Sequence, residues 1–87
     1  MPRVVFTHAV SDVDHWVSKH SERVQAFSAW GSNVLDHVNA DGSKSVGVSV
    51  DVHDMDAMQA AMQTPEMGAA KEAHGVLEPV LVFVEKS

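Results

Sequence analysis

Six histidines among 87 residues supply side chains that both ligate metals and exchange protons near neutral pH. Their spacing decides between those uses. No pair stands in H-x-x-x-H or H-E-x-x-H register, and His15 and His20, five apart, point to different faces of a helix, so no metal site is expected. Nucleophilic catalysis has little support: there is no cysteine, and no serine sits in a G-x-S-x-G elbow. A glycine-rich phosphate loop is missing as well. What remains is proton transfer by histidine on a molecule held in an apolar pocket. His8, His20 and His74 are the candidates for the proton-transferring group. Trp16, Phe27, Met58, Met62 and Met67 are the candidates for the pocket wall, because rings and flexible thioethers suit a flat, apolar or aromatic ligand. The plainer reading of the same residues is hydrogen-bonded histidines and ordinary core side chains.

The elements that position them follow from periodicity. Arg3 to Val10 is short and β-branched, and alternation places Val4, Phe6, His8 and Val10 on one face of a strand, turned toward the helices. Asp12 to Trp30 predicts one helix, capped by Ser11 or Asp12 and ended by Gly31, with Val13, Trp16, Val17, Val24 and Phe27 forming its apolar stripe and His20 interrupting it. Ser32 to Asn39 and Ser45 to His53 predict two strands joined at Asp41-Gly42, and Val46, Val48, Val50 and Val52 share a face. Asp54 to His74 predicts a second helical segment, broken near Thr64-Pro65, whose later piece puts Met67, Ala70, Lys71 and His74 on one face. Pro79 to Glu85 predicts the last strand, followed by a solvated Lys86-Ser87 end. His15, His37 and His53 are expected at the surface or at an edge, and Glu22-Arg23 on a solvated helix face.

The order strand, helix, strand, strand, helix, strand is the ferredoxin-like βαββαβ plan, an α+β fold with two helices on one face of a four-stranded antiparallel sheet. Residues 1–87 are expected to form a single domain. The first and last strands are apolar on both sides, so the second sheet face is expected to meet that of an identical chain, with Trp30 at the edge of the pair. Six basic against 12 acidic residues give a net charge of −6, which repels nucleic-acid phosphates. No apolar run approaches the ~20 residues of a membrane span, and MPRVVFTHAV lacks a signal-peptide h-region. A cytoplasmic protein without nucleic-acid or membrane partners is expected.

The T-H-A-V that closes the first strand, D-V-D-x-W at the first helix, and T-P-E-M with A-H-G-V before the last strand resemble the dimeric α+β barrel superfamily. Within it the chain is similar to small bacterial proteins labelled cyclase or antibiotic-biosynthesis monooxygenase-like. The resemblance covers nearly the whole chain. It implies a homodimer joined through its sheets, with one small-molecule cavity per chain between sheet and helices. It also implies a cofactor-free monooxygenase, cyclase or isomerase acting on a small aromatic or polyketide-like substrate. A non-catalytic ligand-binding protein of the same fold is the alternative. Heme-degrading relatives imply a third reading, with His74 as axial ligand, although this chain carries Glu66 and Met67 where their second-helix tryptophan is sought.

Overall fold

A computed structural model describes residues 2–85, so the expected Lys86-Ser87 end lies outside the described residues. The elements run β1 (Arg3–Val10), α1 (Val13–Ser18), α2 (His20–Phe27), β2 (Gly31–Val38), β3 (Ser45–Val52), α3 (Met55–Met62), α4 (Pro65–Ala73) and β4 (Val76–Val84). The strands form one antiparallel sheet in the order β2-β3-β1-β4, which is the ferredoxin-like arrangement. Alternation in the two central strands builds the core. Val4, Phe6 and Val10 of β1 and Val46, Val48, Val50 and Val52 of β3 are buried beneath the helices with Trp16, Phe27, Trp30 and Met58.

Each helical layer is in two pieces. The second breaks where the sequence predicts it, with the Thr64 hydroxyl accepting from the Met67 N–H at 3.2 Å and Pro65 in the first turn. The first also breaks, at Lys19 (φ −93°, ψ 9°), so the single helix predicted over Asp12 to Trp30 is two helices that end at Phe27. Asp12 is the cap, accepting from the His15 N–H at 3.1 Å. Gly31 is not the residue that ends the helix; it opens β2, where a Cβ would lie 2.7 Å from Val50 Cγ2, so only hydrogen fits against β3. The stripe is corrected too. Val17 and Val24 are 42% and 40% exposed, while Arg23, read from sequence as solvated, is 5% exposed. Trp16, His20, Arg23 and Phe27, at steps of four, three and four, form the series turned toward the sheet, and the charge at Arg23 is accommodated by partners on other elements. Trp30 is buried against Phe27, ring centroids 4.7 Å apart, and does not sit at an edge.

The last strand begins at Val76, three residues before the predicted start: Val76 and Leu77 already pair with Val10 and Ala9, and the register shifts before pairing resumes at Leu81 opposite Thr7. Gly75 makes that early start possible. It holds φ +73°, and its carbonyl accepts from the Ser11 N–H at 2.9 Å. A Cβ there would lie 2.6 Å from Ser11 Oγ. Gly75→Ala is expected to cost about 1–3 kcal/mol from strain and overlap. Gly68→Ala, in α4 with no atom within 4 Å of the new Cβ, is expected to stabilise by about 0.5–1 kcal/mol. Urea unfolding of the two variants should move in opposite directions from the parent.

Among the described residues no element covers the sheet face away from the helices. Cross-strand register places Leu81 and Phe83 beside Thr7 and Val5, with Leu35 opposite Ser49 on the same side, and Phe83 is 55% exposed.

Candidate functional site

Between the sheet and α2 and α4 lies a cavity of about 510 Å³. Its floor is Phe6, His8 and Val48 of the central strands, and its walls include Trp16, Phe27, Met62 and Met67. The helical face predicted from α4 is realised, since Met67, Ala70, Lys71 and His74 all line the space. His8 and His74 therefore share one cavity with Trp16, Phe27, Met62 and Met67. His20 and Met58 do not join them. Met58 is buried in the core, and His20 is half-exposed with Nδ1 3.0 Å from Asp36 Oδ2. His15, His37 and His53 are exposed, bonded respectively to Ala73 O, Ser49 Oγ and Ser32 Oγ.

The residue that sequence reasoning missed is Arg23. Its guanidinium lies over the Trp16 ring, 4.0 Å from the centroid, and Nη2 donates to Trp16 O at 2.7 Å. Nε and Nη2 together grip the Asp36 carboxylate, the planar two-pronged geometry that arginine favours. Nη1 donates to His74 Nδ1 at 3.4 Å. A signal was available. Position 23 falls at the i+7 and i−4 positions of Trp16 and Phe27, and Asp36 is the one acid in β2.

These bonds assign the protons on both cavity histidines. An arginine N–H can only donate, so His74 Nδ1 is the bare nitrogen and Nε2 carries the hydrogen, 4.0 Å from Glu22 Oε1. His8 is the opposite case: Nδ1–H donates to Ala9 O at 3.1 Å, which leaves Nε2 with its lone pair. Its ring meets Trp16 edge-on at 5.8 Å. Burial lowers the pKa of His8, opposed by the bond to Ala9 and aided by the Arg23 charge. Burial and then Arg23 lower that of His74. Both are protonated less readily in the fold than in the unfolded chain, where they titrate near 6.5. Below that value the unfolded chain takes protons that the folded chain refuses, so stability is lost as pH falls. The urea midpoint is expected to drop between about pH 7.5 and about pH 5.5 and to drop less in His74→Gln; a flat profile would count against neutral burial.

Heme does not fit this arrangement. A proximal histidine needs a bare nitrogen for iron, and at His74 the bare nitrogen is Nδ1, occupied by Arg23, in a ring only 7% exposed. Among the described residues no group of three or more His, Cys, Asp or Glu side chains is placed to hold a metal, and no helix is long and apolar enough to cross a membrane.

No protein-family model and no curated protein sequence matches the chain. Solved structures do. SnoaB, a cofactor-independent oxygenase from Streptomyces nogalater, superposes with a TM-score of 0.71 over 100% of this chain and 96% of its own, at 15% identity. An antibiotic biosynthesis monooxygenase superposes with a TM-score of 0.71 over 100% of this chain and 98% of its own, at 11% identity. This chain has the antibiotic biosynthesis monooxygenase fold. At these identities the likeness is one of backbone, and the chemistry has to be argued from the cavity.

Proposed function

We propose that this protein is a homodimeric, cofactor-independent oxygenase that takes a small aromatic or polyketide-like substrate into the cavity under α2 and α4. The observation that carries the reading is His8, a neutral imidazole with a bare Nε2 on the wall of a largely apolar space. The reaction needs an electron-rich substrate anion. His8 removes the proton that generates it, and the anion itself reduces dioxygen, so a ring CH₂ becomes C=O while the second oxygen atom leaves as water. Phe6, Trp16, Phe27, Met62 and Met67 exclude water and shape the space for a flat ring. Support for the dimer comes from the apolar side chains of Leu35, Leu81 and Phe83 on the uncovered sheet face.

Oxygen uptake by chelator-treated protein with anthrone as probe tests the activity. The expected result is uptake above the buffer rate, falling about 100-fold in His8→Ala. Anthrone binding without uptake favours the non-catalytic ligand-binding reading. Sedimentation at micromolar concentration is expected to give a dimer, and a monomer removes that part of the proposal.

A further inference from the structure

The cavity reverses the charge balance of the chain. Of the 6 basic residues two, Arg23 and Lys71, line the space, and of the 12 acidic residues one, Glu22. The two cations differ in what they leave for a ligand. Arg23 is already bonded through Nε, Nη1 and Nη2 to Asp36, His74 and Trp16 O. Lys71 has three N–H groups, and among the described residues one side-chain acceptor meets them, Glu78 Oε1 at 3.0 Å. That acceptor comes from a distortion in β4. Between the pairs Thr7–Leu81 and Ala9–Leu77, the residues Glu78, Pro79 and Val80 stand against His8 alone, the kind of irregularity that re-aims side chains beside a site. Both partners act on the cavity: beyond burial, the bond to Ala9 and the Arg23 charge, Glu78 raises the pKa of His8 and Lys71 lowers it. The Lys71 and Glu78 side chains are 38% and 68% exposed, so water screens the pair and little holds it together. Lys71 can leave Glu78 for a ligand at small cost.

We infer that the cavity selects flat aromatic molecules bearing one carboxylate, which Lys71 takes in place of Glu78 while the rings lie among Phe6, Trp16 and Phe27. The inference rests on the reading of this cavity as the substrate site and adds to it the charge of the substrate and the residue that selects for it. A carboxylate fits better than a more highly charged group. Lys71 supplies one positive charge, the Arg23 charge is already matched by Asp36, and the rest of the wall is largely apolar, where a second negative charge would go unpaired. A neutral ligand leaves Lys71 on Glu78 and gains nothing from it.

Calorimetric titration of the whole protein with 2-naphthoate and with its neutral counterpart 2-naphthamide, at about pH 7.5 where the acid is ionised, tests the selection. The parent is expected to bind 2-naphthoate about tenfold tighter than the amide, because a hydrogen bond to a charged group is the stronger one. Lys71→Met is expected to weaken 2-naphthoate about tenfold and to leave the amide unchanged. Lys71→Arg, which keeps the charge, should retain most of the preference. Glu78→Gln frees Lys71 and is expected to tighten 2-naphthoate about threefold. Both positions are part-exposed, so these variants are expected to fold. Equal affinities for the two probes in the parent, an unchanged 2-naphthoate affinity in Lys71→Met, or no gain in Glu78→Gln each overturn the inference. The first of these leaves the cavity standing as a ligand site. Preference for the acid without oxygen uptake keeps this inference and removes the oxygenase; binding of neither probe removes both.

Discussion

Replacing Asp36 by alanine is expected to destabilise the protein by about 3–5 kcal/mol, because it leaves a buried guanidinium with its charge uncompensated. The side chains of Arg23 and Asp36 are 6% and 12% exposed, so water does little to screen either. At the usual stability per residue, 87 residues carry about 4–13 kcal/mol in total, and the variant should be largely unfolded at physiological temperature. The pair is not expected to be worth that much as a stabilising interaction. Its attraction is offset by the loss of hydration of two ions, so the double variant Arg23→Met with Asp36→Leu should recover most of the lost stability. Urea unfolding of the two single variants and the double variant measures the difference. A small loss in Asp36→Ala would mean that the Trp16 carbonyl and ring satisfy the guanidinium alone.

Trp16→Ala is expected to cost about 3–5 kcal/mol by the usual penalty for deleting a large buried ring. The ring is 1% exposed and serves two neighbours at once: its face carries Arg23, and it meets His8 in an edge-on contact. Truncation opens the cavity beside His8. Because burial is the largest cause of the lowered His8 pKa, admitting water there should raise it toward 6.5. Trp16→Phe keeps most of the ring and should keep most of both effects. Unfolding midpoints and the His8 proton chemical shift against pH separate them, and a His8 titration that stays put in Trp16→Ala would place the cause elsewhere.

Much of this fold is legible in the chain because its signals are local. The alternation of Val46, Val48, Val50 and Val52 needs no tertiary information to name a buried face, and Gly42 adopts φ +78° in the turn that Asp41-Gly42 announces. Thr64-Pro65 marks a helix boundary by sterics alone. His8 and His74 could be placed on inward faces for the same reason: each shares a period with apolar neighbours. The break at Lys19 was not legible, since no proline or glycine announces it, and the apolar stripe was therefore drawn through Val17 and Val24 in place of Arg23.

Sequence alone determined the order of strands and helical segments and the direction in which two of the three proposed histidines face, because backbone sterics and side-chain period act between neighbours. Tertiary structure alone decided the charges and protons. Arg23 is buried only because Asp36, thirteen residues on and in another element, meets it. His74 is a donor only because Arg23, fifty-one residues earlier, occupies its other nitrogen. The desolvation cost of an ion is set by partners that folding brings together, and no pattern along the chain encodes which partner arrives.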